Sequence, residues 1–387
     1  MTAASLDFGY GPDEALLRDQ ARKFLDEYAG PATLRKLVGK DPAAVYARGE
    51  LPSYDEAVWR RCVELGWTAL MVPEAAGGVD AKMVGVTAIV EEAGKHAYPS
   101  PLVATLASSA VLGHAASPAA KRWLRRIAGG TAVSLAITGH RGAWEVDQTD
   151  VWAERTGDAF SLSGTAYFVQ DAFKVDAFLV TARSGDGVYI AVVRADAPGL
   201  TVVRNHIVDL TRDQGHLDLE GVSVSEEDVV ASAAQGRDVL QKAWPSVLTL
   251  VSADLVGASE WLLETTVEYA KVRRQFDRTL GFFQAVKHPL VNAMIEIDLA
   301  RSLLYHAAFC IDVDPERAEV AARMAKSAAS DAASFMAGRA VQLHGGIGFT
   351  WECDVHFYFK RIHHNQALYG DGVHQRKKLA RLLIDPP

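Results

Sequence analysis

The period of the hydrophobic pattern changes twice along this chain, and no other feature narrows the fold as far. From Pro12 to about Ile127 apolar residues recur at helical spacing, with Leu16, Leu17, Ala21, Phe24 and Leu25 set among charged residues. Tyr54-Asp55-Glu56, after Pro52 and Ser53, reads as a helix start with acids in its first turn, continuing through Val58 and Val63 to Leu65. Gly77-Gly78 marks a break. From Thr131 to about Val230 the period becomes two. Asp158 to Ser163, Phe178 to Thr181 and Val188 to Val193 read as strands, with glycine-bearing turns at Arg155-Thr156-Gly157 and Ser184 to Gly187. Short strands without intervening helices predict an antiparallel sheet or barrel. From about Arg237 to Leu383 the helical period returns. Val291, Met294, Ile295 and Leu299 share one face, and an alanine-rich helix over Glu316 to Leu343 ends at Gly345-Gly346.

At 387 residues the chain is longer than one hydrophobic core usually serves. A net charge of −8 and few clustered cations argue against a nucleic-acid partner. Cys62, Cys310 and Cys353 are widely spaced and odd in number, which points to free thiols in a reducing, cytoplasmic compartment. Met1 to Tyr10 has no basic stretch leading into an apolar run, so no signal peptide is expected, and no apolar run looks long enough to span a membrane. His363-His364, with His356 and His374 nearby, lacks the i, i+4 spacing that chelates well, so no metal is expected.

Two C-terminal stretches carry the functional signal. Gln342-Leu343-His344-Gly345-Gly346-Ile347-Gly348-Phe349 resembles the Gln-x-x-Gly-Gly-x-Gly-Phe signature of the flavin-dependent acyl-CoA dehydrogenases. Tyr269 to Gln284 resembles that family's Tyr-x-x-x-Arg-x-x-Phe-Gly…Gln segment, and Leu65-Gly66-Trp67, Val72-Pro73-Glu74 and Gly77-Gly78 resemble parts of its N-terminal domain. The resemblance spans nearly the whole chain. It implies an α+β fold with an N-terminal helical domain (1–129), a middle antiparallel β-barrel-like domain (130–232) and a C-terminal four-helix bundle (233–387).

It also implies FAD as cofactor. Arg273 would offer a guanidinium fork to a phosphate and Phe276, three residues along the same helix face, an apolar surface to the adenosine end. Gln284 and Gln342 would give amide hydrogen bonds, and Gly345 and Gly346 close backbone approach. In the family these positions reach the FAD of a neighbouring subunit. Asp277 replaces the family's glycine.

The half of the site directed at the chain's own flavin departs from the family. Ile137 to Trp144 keeps only the threonine of a Thr-Glu-Pro-x-x-Gly-Ser-Asp loop, and Phe168-Val169-Gln170-Asp171 replaces a Trp-Ile-Thr-Asn strand. The family's catalytic glutamate, in Tyr-Glu-Gly-Thr, falls on Gly370 of Leu368-Tyr369-Gly370-Asp371-Gly372, or on Tyr369 when counted back from Gln375-Arg376. A second base position found in some members falls on Val247. Asp371 is the nearest substitute, and reads first as a turn residue capping its own backbone. Asp254, inside the apolar run Leu248 to Val256, either is paired or faces a polar cavity, or is a buried acid with a raised pKa.

This asymmetry implies the base-lacking subunit of a hetero-oligomeric (α2β2) acyl-CoA dehydrogenase, similar to those acting on bulky steroid-derived thioesters in actinobacteria. A Glu-bearing homologue would be its partner and an electron-transfer flavoprotein its electron acceptor. The rivals are a self-sufficient homotetramer using Asp371 and a scaffold that has lost FAD.

Overall fold

The computed structural model describes residues 11–38, 54–142, 144, 148–157, 159–185 and 187–384. Met1 to Tyr10, Pro52, Ser53, Ala143, Asp158 and Asp186, which entered the sequence reading, lie outside them.

The N-terminal helices are α1 (Pro12–Tyr28), α2 (Pro31–Val38), α3 (Glu56–Glu64), α4 (Met83–Lys95), α5 (Leu102–Gly113) and α6 (Pro118–Ala128). Asp55 starts α3 as the sequence suggests, its carboxylate accepting from the Ala57 and Val58 amides at 2.9 and 3.1 Å. In α1, Ala21 and Leu25 are buried, whereas Leu16 faces outward. Strands β1 (Val133–Ala136), β2 (Asp150–Thr156), β3 (Ala159–Gln170), β4 (Ala177–Ser184), β5 (Gly187–Arg194), β6 (Leu200–Arg204), β7 (Gln214–Ser225) and β8 (Val229–Ala231) form one sheet. Its order is β6-β7-β3-β2-β4-β5-β8, with β1 beside β4.

The sheet departs from the expected antiparallel barrel in two respects. Both β1 and β2 run parallel to β4. Parallel neighbours need a long crossover, and the β2–β3 hairpin between β1 and β4 supplies one. Among the described residues no pairing joins β6 to β8, so the ladder stays open.

Helix α7 (Gly236–Val272) is the column on which the rest is built. Its 37 residues rise about 55 Å at 1.5 Å each, and Val247 through Gly257 are buried without a break. By length and hydropathy it could cross a membrane, contrary to the sequence expectation, but 83% of its most apolar window is buried inside the fold, which makes it a core helix. It meets α4 at a close crossing. A Cβ on Gly257 would lie 1.9 Å from the Glu91 carbonyl, and one on Gly94 would lie 2.3 Å from that of Asp254, so only glycine lets these backbones touch. Around α7 pack α8 (Gln284–Val313), α9 (Pro315–His344) and α10 (Val355–Ala367), and α11 (Gly372–Leu383) packs on α9. Ala322, Ala325, Ala329, Ala333, Ala337 and Ala340 line the buried side of α9, and this small-residue seam brings its neighbours close.

Candidate active site

The loop between α10 and α11 holds the position assigned to the catalytic base. Asp371 is the N-cap of α11, its Oδ1 accepting from the His374 amide at 2.8 Å. Gly370 has φ +94, and an added Cβ there would sit 2.4 Å from His374 Cδ2 and 3.0 Å from Gln375 Nε2. Tyr369, buried and in the left-handed region at φ +58, packs edge-on against Trp144 and Trp244 at 5.2 and 5.3 Å between ring centres. Two buried side chains fix this backbone. Gln375 Nε2 donates to the Tyr369 and Gly370 carbonyls at 2.8 and 3.2 Å. Lys326 Nζ donates to the Gly370 and Gln366 carbonyls and to Ser330 Oγ at 3.0, 2.9 and 3.0 Å. Burial pushes the Lys326 ammonium down to about 7 against the pull of Asp371 and Asp331, yet its three acceptors match the three donors of the charged form.

Beneath the loop lies a buried ionic network joining the sheet to the bundle. Asp254 Oδ1 accepts from Arg361 Nε (2.9 Å) and Asn365 Nδ2 (2.6 Å), and Oδ2 from Arg361 Nη2 (2.5 Å) and Arg212 Nη2 (2.7 Å). Burial pushes this carboxyl upward, but Arg361 and Arg212 outweigh it, so its pKa lies below the usual value. Asp254 is therefore the paired residue of the two readings, and the raised pKa is not found. Asp171 sits in the same network, 3.4 Å from Lys174 and 3.5 Å from Arg212; there burial prevails and its pKa is raised.

A cavity of about 600 Å³ opens between the sheet and α10, lined among others by Trp144, Phe168, Gln214, His363 and His364. A bulge in β3 between Ala166 and Val169 takes Phe168 out of the ladder at φ +56 and turns it to this cavity. Gln170, in place of the family's threonine, is already engaged: Nε2 donates to the Phe168 carbonyl at 3.0 Å and Oε1 accepts from His364 Nε2 at 2.6 Å. Burial holds His364 below the ordinary imidazole value, consistent with a neutral ring donating from Nε2. Among the described residues no cluster could hold a metal.

The residues assigned to a neighbour's FAD gather at the opposite kind of place, an exposed end of the bundle where α7 and α9 stop and α8 begins. Tyr269 stacks on His344 at 4.3 Å and ties the two helix ends together. One expectation is corrected here: Arg273 and Phe276 do not share a helix face. The helix ends at Val272, and Arg274–Gln275 (β9) pairs with Arg278–Thr279 (β10) in a two-strand hairpin whose tip is Phe276-Asp277. Both tip residues have positive φ, +53 and +59, as a two-residue hairpin loop of this hand requires. Aspartate tolerates that region better than most residues, which accounts for Asp277 where the family has glycine. Arg273, Phe276, Gln284, Gln342, Gly345 and Gly346 are all exposed, Phe276 at 89%. A Cβ on Gly345 or Gly346 would meet nothing within 4 Å, so this backbone is open to close approach.

Sequence reasoning missed Lys326, Arg361, Arg212 and the aromatic set Trp144, Trp244 and Tyr369. A lysine amid the small residues of α9 and an arginine on the buried side of α10 were the available signals.

Residues 11–131 match the acyl-CoA dehydrogenase N-terminal domain and residues 235–384 its C-terminal domain. The chain is 30% identical over 359 residues to the acyl-CoA dehydrogenase IpdE2 of Mycobacterium tuberculosis, covering 92% of this chain and 93% of that protein. It is 29% identical to FadE27 of the same organism, covering 86% and 90%. Among solved structures it is similar to the ChsE4-ChsE5 complex of Mycobacterium tuberculosis, with a TM-score of 0.87, 26% identity and coverage of 99% and 100%. It is similar also to a variant of the Tcur3481-Tcur3483 steroid ACAD, with a TM-score of 0.84, 27% identity and coverage of 96% and 98%. The chain belongs to the acyl-CoA dehydrogenase family.

Proposed function

We propose that this chain is the base-lacking subunit of a heteromeric acyl-CoA dehydrogenase, α2β2, acting on a bulky, steroid-type acyl-CoA. The observation that carries the reading is the contrast between its two half-sites. The inward one lacks a base: Gly370 is hemmed in by His374 and Gln375, and the Asp371 carboxylate caps a helix. The outward one is intact and exposed, from Arg273 through Gly346.

FAD is the cofactor of this family. When bound, it would supply the acceptor for a hydride from Cβ of the thioester, and a carboxylate of the protein would remove the α-proton. This chain's residues fit the neighbour's FAD better than their own. Arg273 can fork to a phosphate, Gln284 and Gln342 can hydrogen-bond, and Gly345-Gly346 present unobstructed backbone. On the inward side both polar atoms of the Gln170 amide are engaged within the protein, and the Asp171 carboxyl is held beside Lys174 and Arg212. The carboxylate would come from a Glu-bearing homologous partner, and an electron-transfer flavoprotein would carry the electrons away.

Exposed apolar side chains support a partner. Phe276, Phe282, Ile347 and Phe349 stand out at the bundle end, and Val291, Met294, Ile295 and Leu299 face outward along α8 while Leu290, Ala293, Ile297 and Ala300 face the core. A contiguous apolar surface of this kind marks an interaction face. That heteromeric pairs occur among the structural relatives agrees with this reading.

The test is the visible absorbance of this chain purified alone and after co-expression with a Glu-bearing homologue. Flavin bands only in the complex, at one FAD per pair of subunits, are expected. Stoichiometric FAD on the chain alone would overturn the proposal and turn attention back to Asp371 as base.

A further inference from the structure

Two buried aspartates share the seam between sheet and bundle, and they are served unequally. Asp254 receives four hydrogen bonds at 2.5 to 2.9 Å. Asp171, as deeply buried, receives one long bond, from Lys174 Nζ to Oδ1 at 3.4 Å, and among the described residues its Oδ2 has none. The cations beside it are claimed elsewhere. Lys174 lies 3.3 Å from Asp213, and Arg212, 3.5 Å from Asp171, donates to Asp254 at 2.7 Å. The backbone sets where the carboxyl sits: Asp171 has φ +49, its amide donates to the Asp213 carbonyl, and its carbonyl accepts from the Lys174 amide, both at 2.9 Å. A carboxylate kept from water needs close pairing and several hydrogen bonds, and this one has neither. Asn365 offers what a neutral acid needs instead. Its Nδ2 is committed to Asp254, and among the described residues its Oδ1 accepts no hydrogen bond. Both residues line the inner cleft beside Tyr369, whose free space of about 10 Å³ admits no more than one water. A proton on Asp171 would have that amide oxygen as its acceptor, directly or through the water.

We propose that Asp171 is carried as the neutral acid and makes the seam between sheet and bundle a pH-sensitive joint, closed by one proton that the chain takes up on folding. The groups that face it are Lys174 on the β3–β4 turn, Arg212 and Asp213 ahead of β7, Tyr54 ahead of α3, Tyr369 in the α10–α11 loop, and Arg361 and His364 on α10, with Asp254 of α7 across Arg212. Helix α5, whose Val103, Ala104 and Ala107 complete the cleft, carries no titratable group. Burial raises the Asp171 carboxyl above its ordinary value of 3.8 against the pull of Lys174 and Arg212. The folded chain therefore keeps a proton that the unfolded chain releases above 3.8. Stability from this group falls as pH rises from that value toward the folded one, and is level beyond it. The sign is opposite to that of Asp254, which is held charged. The inference concerns this chain alone and does not rest on the heteromeric reading.

Chemical denaturation of the full-length chain and of its Asp171→Asn variant, from pH 4 to pH 9, tests it. Asparagine copies the shape of the neutral acid and does not titrate, so the variant should fold. Its folding equilibrium constant should gain on wild type by up to about tenfold per pH unit, and level off once the folded wild-type carboxyl ionises. Carbon-13 NMR of protein labelled at the aspartate carboxyls gives a second reading. At pH 6 wild type should show a resonance at the neutral-acid position that the variant lacks. A variant that fails to fold, that is less stable than wild type throughout, or whose difference from wild type is flat in pH would overturn the proposal. So would an Asp171 resonance at the carboxylate position at pH 6.

Discussion

Restoring the family's glutamate by Gly370→Glu should not restore activity, and it should destabilise the chain. The structure sets the size of the effect. At φ +94 any side chain is strained, at about 1–2 kcal/mol for leaving the right-handed and extended regions. The new Cβ would also lie 2.4 and 2.8 Å from His374 Cδ2 and Cγ, atoms near the root of the ring rather than at a flexible tip. Relieving that contact requires His374 to rotate or α11 to shift, which adds about 1–3 kcal/mol as overpacking usually does. The carboxylate would further enter a pocket where the Gln375 amide already serves the Tyr369 and Gly370 carbonyls. A combined loss of about 2–5 kcal/mol is expected. Thermal denaturation of Gly370→Ala and Gly370→Glu separates the terms, since alanine carries the backbone strain and the Cβ contact without the carboxylate. The activity assay is enoyl-CoA formation by the FAD-supplied chain without a partner. A Gly370→Glu variant that melts with wild type and desaturates a thioester would refute the reasoning, because the loop would then be a removable deletion of a base rather than a rebuilt site.

Further outcomes follow from the same geometry. Asp254→Asn should cost about 3–5 kcal/mol, because it leaves the buried Arg361 guanidinium without its counter-charge and Arg212 with Asp171 alone, and chemical denaturation reads the loss directly. The acid side of the stability profile should steepen for two reasons of the same sign. Asp254 and Glu92 have depressed pKa values, so their stabilisation is complete above the ordinary carboxylate value and is lost as pH falls toward the folded one. His356 is pushed down to about 4 by burial and by Lys360 and Arg35, so stability falls from pH 6.5 toward 4 as the unfolded chain takes up the proton. Among the described residues neither ring nitrogen of His356 has a hydrogen-bond partner, and it lies against Trp351 and Phe357. His356→Phe should therefore raise Tm more at pH 5 than at pH 8. Arg273→Ala should leave the stability of the chain within about 0.5 kcal/mol of wild type, since the hairpin is exposed, while lowering FAD retention in the co-expressed complex.

The order of domains was legible because each segment repeats one spacing many times. The short strand run at Phe178 to Thr181, buried throughout, and helical periodicity through α8 each integrate over several residues. What was not legible depended on single backbone states and on pairs distant in sequence. Arg273-x-x-Phe276 has helical spacing, yet the helix ends between two basic residues without a glycine or proline to announce it, and the hairpin tip shows only in φ. The Asp254 partners lie 42, 107 and 111 residues away, so the choice between a paired acid and a perturbed one could not be settled locally. For Asp371 the local cue sufficed: an aspartate ahead of a helix caps it, and the His374 amide is its partner.

On the proposed reading this loop has lost a base, and its packing shows why such a loss would not readily reverse. An active site must keep a cavity for substrate and leave polar groups without protein partners, both of which cost stability. Once a neighbouring subunit supplies the carboxylate, nothing preserves that cavity, and changes that fill it are stabilising. The inner cleft here is closed by Tyr369, its backbone is held by Lys326 and Gln375, and Gln170 is engaged by His364. Each contact relies on the next: the lysine needs the Gly370 carbonyl, and the glutamine needs the left-handed turn that presents the Tyr369 carbonyl. A single substitution toward the ancestral base meets all of them at once. On this view the outward half-site stays intact for the opposite reason, since Arg273, Gln342 and Gly346 gain little from contacts within their own chain and are kept by what the partner binds.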